Sequence, residues 1–297
     1  MSPLYWPTWF GISLVWLLSR LPFEWQLKVG GGLGSALYFI LPERRRVCHT
    51  NLRLAFPDLP EKNLASLARD VYRNIGYSIA EVATLWFQPL SRIAHRFELV
   101  GREHLDQALA TGHGVILLQA HFSTLEFCGS WIATQIPGAA ALVDEPKNPL
   151  YAALLRDRRE RYVDEIIDNR DIRKMIRHLK AGGLVWYSPD QSVRKRDGGI
   201  ASTFFNQTVL TTPGTSRMAR MTGAKILPYL PVRSKQPGKY KLHIFPLLEN
   251  FPGASPEADT ETINRLFETH IRQYPEQYFW VHKRFKPASK DLPNPYQ

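Results

Sequence analysis

Val115-Ile116-Leu117-Leu118 is an unbroken apolar run flanked by Gly114 and Gln119. A strand sends successive side chains to opposite faces, so four apolar residues in a row bury both faces and require a covering layer on each. Other short β-rich runs lie at 96–100, 140–143, 183–188, 226–231 and 241–245. Between them, 149–163, 171–181, 212–221 and 259–274 read as helices. Alternation of this kind predicts an α/β domain whose central sheet is mixed but mainly parallel and covered by helices. A further helix is expected over 58–88, where Leu64, Leu67, Val71, Ile75, Ile79, Val82 and Leu85 recur at three- and four-residue steps and form one apolar face.

No repeat or long polar linker divides the 297 residues, which suffice for one large domain with a full core. Residues 4–18 form an apolar, tryptophan-rich run without charge, followed by Arg20. It is shorter than the roughly 20 residues a spanning helix needs, so it is expected to lie in the membrane interface as a hydrophobic anchoring helix. The division expected is therefore an anchor at 1–28 and a catalytic domain at 29–297. Arg20, Lys28 and Arg44 to Arg46 follow the run and place the bulk of the chain on the cytoplasmic side by the positive-inside bias. Gly30, Gly31, Gly32 and Gly34 lack dinucleotide-binding spacing and read as a close-packing surface.

The net charge of +11 calls for an anionic partner without naming it. No nucleic-acid motif accompanies the charge. Cys48 and Cys128 have neither disulfide-scaffold nor zinc-ligand spacing, and the histidines form no metal-ligand set, so no metal is expected.

Chemistry concentrates where the 114–119 strand ends, because His121 follows at once and Glu126 lies five residues later. Ligands of open α/β sheets bind at the carboxyl ends of the strands. An imidazole with an ordinary pKa near 6.5 accepts the proton of an attacking alcohol, and a carboxylate on its far nitrogen fixes the tautomer. Ser123-Thr124-Leu125-Glu126 equally matches a capping box, in which Glu126 reaches back to the helix start. Asp190 ends the 183–188 strand on the same expected edge, and Thr212 to Gly214 opens a helix whose free N–H groups suit phosphate or an oxyanion.

His121 and Glu126, spaced His-x4-Glu, occur in order with five further segments: Asn51-Leu52 with Ala55-Phe56-Pro57, Asn148 to Tyr151, Trp186 to Gln191, Thr211 to Thr215, and Gln277 to Lys286. Together they resemble the late (secondary) acyltransferases of lipid A biosynthesis, of the lauroyl/myristoyl transferase type, within the lysophospholipid acyltransferase superfamily. The resemblance implies a glycerolipid-acyltransferase-like fold at the cytoplasmic face of the bacterial inner membrane. It implies transfer of a fatty acyl chain from acyl carrier protein to a 3-hydroxyacyl hydroxyl on a phosphorylated glycolipid, with no cofactor. His121 is then the general base, Glu126 its partner, and Arg159 a group that holds anionic or oxyanion charge, with Asp190, Thr212 and Gly214 on the substrate side. Arg159 lies in Arg156-Asp157-Arg158-Arg159-Glu160-Arg161, where helical geometry turns neighbours to different faces. Ser192-Val193-Arg194-Lys195-Arg196 departs from the family pattern and, with Arg170, Arg173, Lys174 and Arg177, offers charge to anionic lipid heads or an acidic carrier protein.

Three other readings compete. An α/β-hydrolase needs a Gly-x-Ser-x-Gly elbow, which Phe127-Cys128-Gly129-Ser130-Trp131 does not supply. A non-enzymatic binder of nucleic acid or of a membrane surface would explain the charge but not the motifs. A phospholipid, ornithine-lipid or other glycolipid acceptor would use the same chemistry.

Overall fold

The computed structural model describes residues 3–144, 146–287 and 293–297. Four helices come first: α1 (Trp6–Leu18), α2 (Phe23–Ile40), α3 (Pro42–Ala55) and α4 (Glu61–Phe87). Then strands and helices alternate as β1 (Phe97–Val100), α5 (Arg102–Ala110), β2 (Val115–Leu118), α6 (Leu125–Ala133), β3 (Ala139–Val143), α7 (Pro149–Arg159), β4 (Glu165–Asp168), α8 (Ile172–Lys180) and β5 (Leu184–Tyr187). The chain continues through β6 (Ile200–Phe204), β7 (Gln207–Thr211), α9 (Gly214–Thr222), β8 (Lys225–Arg233), β9 (Tyr240–Ile244) and α10 (Pro256–Gln273).

Seven strands form one sheet in the order β1-β9-β8-β2-β5-β3-β4, and β6 and β7 pair separately as a hairpin. Neighbours run parallel except at β8 and β9, so the expected mixed, mainly parallel sheet is present. All four β2 residues are buried. Ile116 and Leu118 join a core with Leu179 of α8, Met218 of α9 and Phe267 of α10, while Val115 and Leu117 join a second core with Leu105 of α5 and Phe127 of α6. Helices therefore cover both faces, which is why an apolar run without alternation is stable at the centre.

The helix expected over 58–88 is α4. Gly30, Gly31 and Gly34 of α2 rest on it, and a β-carbon on Gly76 of α4 would meet the backbone of Gly30 and Gly34. Glycine on both sides lets the two backbones approach, as the packing reading required of Gly30, Gly31 and Gly34, whereas Gly32 faces open space and takes no part. The apolar N-terminus divides into α1 and the start of α2, so residue 28, the expected border of the anchor, lies within α2. Nothing on α1 is buried, and among the described residues no helix is long and apolar enough to cross a membrane.

Candidate active site at the ends of β2 and β5

β2 and β5 are parallel neighbours with Leu118 opposite Tyr187, which puts His121 and Asp190 each three residues further on, at the same sheet edge. Adjacent strands are about 4.8 Å apart, so side chains leaving matched positions meet. Asp190 does so twice: Oδ1 lies 2.5 Å from Nδ1 of His121, and Oδ2 accepts the His121 backbone N–H at 3.0 Å. Tyr278 donates its hydroxyl to Oδ2 at 2.9 Å, which completes a buried carboxylate.

The structure thus corrects one expectation. The carboxylate on the His121 ring is Asp190, and Glu126 is engaged elsewhere: Arg159 donates from Nε at 2.9 Å and Nη2 at 2.6 Å to its two oxygens. Glu126 sits in the first turn of α6, and Arg159 ends α7, so the fork joins the two helices behind the His121 loop. The capping box does not form either. Ser123 Oγ accepts from Arg233 at 2.6 Å, and the residue preceding α6 is Thr124, whose hydroxyl goes to the Pro231 carbonyl. Of the charged cluster 156–161, Arg159 is the residue that turns inward to a carboxylate, while Arg161 stays half exposed beside Asp157.

Electrostatics follow the geometry. Burial alone would lower the His121 pKa, but the charge of Asp190 and its hydrogen bond prevail and raise it above the ordinary 6.5. Burial would raise the Asp190 carboxyl, yet the adjoining imidazole and its hydrogen bonds bring it down to about 2. Asp190 is thus an anion that orients the ring and favours its protonated form, the part an acid plays beside a catalytic histidine. The ring retains 27% side-chain exposure at its edge, where a small cleft is lined by Asn51, Gln191, Phe279 and His282.

The loop around His121 is held from both sides. The His121 carbonyl accepts Phe279 N–H at 3.0 Å, and Ser123 N–H donates to the Gln277 carbonyl at 2.7 Å. Opposite, Arg233 contacts Ser123 and is itself fixed by two 2.6 Å bonds to the buried Glu81. Sequence reasoning missed Arg233, Glu81 and Tyr278 as parts of the site. Tyr278 lay within a quoted segment, but nothing local shows that its hydroxyl reaches a strand end far back in the chain.

Beyond the ring a groove of about 850 Å³ opens. Leu142, Ile172, Met175, Met218 and Met221 give it an apolar lining, Arg217 and Lys286 give it positive charge, and Arg170 and Arg194 line it paired with Asp144 and Asp197. Thr212 and Gly214 line it at the start of α9, where Thr212 Oγ1 accepts the Gly214 N–H at 3.1 Å. Arg173 and Arg177 remain exposed on α8, whereas Lys174 pairs with Glu165 at 3.0 Å. The arrangement offers a base, an oriented acid and an amphipathic groove side by side.

Residues 1–287 match the family model described as bacterial lipid A biosynthesis acyltransferase. The lipid A biosynthesis lauroyltransferase of Escherichia coli (strain K12) is 33% identical over 100% of this chain and 96% of its own length. The palmitoleoyltransferase of lipid A biosynthesis from the same organism is 31% identical, over 96% of this chain and 93% of that one. Among solved structures, the 1-acyl-sn-glycerophosphate acyltransferase of Thermotoga maritima is a distant likeness, with 13% identity and a TM-score of 0.39 over 84% of this chain and 97% of that one. With a matching model across nearly its whole length and relatives of this identity, the chain belongs to the bacterial lipid A biosynthesis acyltransferases and is an acyltransferase.

Proposed function

We propose that this enzyme transfers a fatty acyl chain from its thioester on acyl carrier protein to the hydroxyl of a 3-hydroxyacyl chain on a phosphorylated lipid A precursor, at the cytoplasmic face of the bacterial inner membrane. The observation that carries the reading is the His121–Asp190 pair opening beside the groove. In the reaction the acceptor oxygen attacks the thioester carbonyl carbon while Nε2 of His121 takes the hydroxyl proton. The tetrahedral intermediate then expels the carrier thiolate, the C–S bond breaks, and the imidazolium protonates the sulfur. Ester and free thiol are the products, and neither metal nor nucleotide takes part.

Asp190 stabilises the imidazolium formed in the first step. Glu126 and Arg159 hold α6 and α7 in register behind the loop, and the helix start at Thr212 and Gly214 faces the groove where an anionic headgroup would rest. The basic groove suits phosphates and its apolar lining suits acyl chains, which is the chemistry of a phosphorylated glycolipid. The exposed basic face of α8, with Arg173 and Arg177, is where an acidic carrier would meet the protein.

The N-terminal helices supply the membrane contact. Trp6, Phe10 and Leu17 of α1 are more than half exposed, as are Trp25 and, at the far end of α2, Phe39 and Ile40. Arg20 lies over the Trp16 ring and Lys28 over the Trp25 ring, so cations border the apolar face as interfacial anchors do. This face extends along α2 well past residue 28. Consumption of acyl-carrier thioester by the purified protein in anionic vesicles tests the proposal. It is expected to depend on the hydroxyacylated glycolipid; free fatty acid released at the same rate without acceptor would make the protein a hydrolase instead.

A further inference from the structure

The nitrogen of His121 that must receive the proton is already in use. Nε2 of Gln191 lies 3.2 Å from Nε2 of His121 and 3.3 Å from Nε2 of His282. With the Nδ1 hydrogen directed at Asp190, Nε2 of His121 has one lone pair, and an amide N–H fills it. An acceptor hydroxyl needs that same lone pair to surrender its proton. Amide and hydroxyl therefore exclude each other.

Gln191 is well placed to move. It is exposed, it follows Asp190 in the loop after β5, and it lines both the groove and the small cleft at His121. It also has a second acceptor within reach, because the His282 ring stands 6.3 Å from that of His121. Burial first, and the charge of His121 whenever that ring is protonated, push the His282 pKa down to about 4, so its imidazole is neutral at physiological pH. A neutral ring offers the lone pair that one amide hydrogen requires.

We propose that Gln191 is the gate on the base: its side-chain amide covers Nε2 of His121 until the acceptor hydroxyl displaces it, and His282 retains the displaced amide. The gate has a chemical purpose. An uncovered base beside a bound thioester would activate water as readily as alcohol and discharge the acyl group as free acid. Covering Nε2 until an acceptor arrives from the groove links deprotonation to the presence of the correct nucleophile. The identity of that nucleophile rests on the acyl-transfer reading, whereas the cover on Nε2 belongs to the protein without substrate.

Two measurements on the full-length protein test the gate, using Gln191→Ala and Gln191→Glu. Carbethoxylation of His121 by diethyl pyrocarbonate, followed by mass spectrometry of the peptide that contains it, reports access to Nε2 at one fixed pH. Loss of one neutral hydrogen bond predicts labelling about fivefold faster in Gln191→Ala. Gln191→Glu puts a carboxylate beside the ring, favours the imidazolium and is expected to label more slowly than the wild type. Thioester hydrolysis without acceptor is expected to rise in Gln191→Ala by a similar factor. Unchanged labelling at an unchanged melting temperature overturns the gate, as does faster labelling with no added hydrolysis. If the wild type transfers nothing to a hydroxyl acceptor, the acyl-transfer reading fails, and the labelling comparison still decides whether Gln191 covers the base.

Discussion

Both ring nitrogens of His121 are spoken for, Nδ1 by Asp190 and Nε2 by Gln191, and this sets what each nearby substitution should do. Asp190→Asn keeps the shape but removes the charge that raises the imidazole pKa. Activity is expected to fall by at least about 100-fold, by analogy with loss of the acid beside a catalytic histidine. The proposed base, His121, works when neutral, so the acid limb of kcat/KM in the wild type should lie above the ordinary histidine value of 6.5, because the folded pKa is raised. In Asp190→Asn only burial remains, and the limb should move to lower pH. Glu126→Gln should behave differently: it weakens the fork to Arg159, costs about 1–3 kcal/mol in urea unfolding and lowers activity without moving the limb. A limb that shifts with Glu126→Gln and stays put with Asp190→Asn would reverse these roles. The sequence placed His121 and Asp190 on one sheet edge, but the ring's partner was assigned to Glu126 from the His-x4-Glu spacing of the family it resembles. The pairing depends on β2 and β5 being adjacent and in register, which no local pattern encodes.

Among the elements, apolar runs were legible wherever burial was two-sided. β2, β3, β5 and β8 fall within a residue or two of their expected limits, since apolar runs without alternation fit a sheet covered on both faces, and the alternately buried β1 and β9 were placed as closely. β4 was not legible: Glu165-Ile166-Ile167-Asp168 is short, ends in acids and lies at the sheet edge. The β6–β7 hairpin was missed as well; its turn rests on Phe205 and Asn206 at φ of 49° and 57°, and a bulky Phe at positive φ is not a usual turn signal. The brace of the His121 loop is also an element-scale feature. Arg233 ends β8 and Glu81 lies on α4, with side-chain exposures of 10% and 1%. Removing one partner leaves an unpaired buried charge, so Glu81→Ala is expected to destabilise the protein by about 3–5 kcal/mol. Chemical denaturation reads this directly, and a loss below 1 kcal/mol would mean that the pair does not brace the loop. Gly76→Ala should destabilise too, because its methyl group has only the α2 backbone to occupy.

On the scale of the whole molecule, the apolar N-terminal face and the sheet edge that carries the candidate site are physically joined. Thr8 of α1 accepts a hydrogen bond of 2.9 Å from Asn148, the residue that caps α7, and α7 carries Arg159. The groove beside His121 thus belongs to a protein whose apolar helices lead to its active-site elements, an arrangement suited to an acceptor held in a lipid surface. Replacing Trp6, Phe10 and Leu17 together by serine is expected to weaken sedimentation with anionic vesicles by at least about tenfold, given the burial energy of large apolar side chains. Unchanged sedimentation would assign membrane binding to the basic surface alone. The positive charge was plain in the sequence, but its division between groove, α8 and the flanks of the apolar helices was not, because that depends on how distant loops converge. The most direct measurement is the mass of a hydroxyacylated, phosphorylated glycolipid after incubation with the enzyme and acyl carrier thioester. With the wild type it should increase by one alkali-labile acyl chain, and with His121→Ala it should not; an equal increase in both would contradict the assignment of His121 as the base.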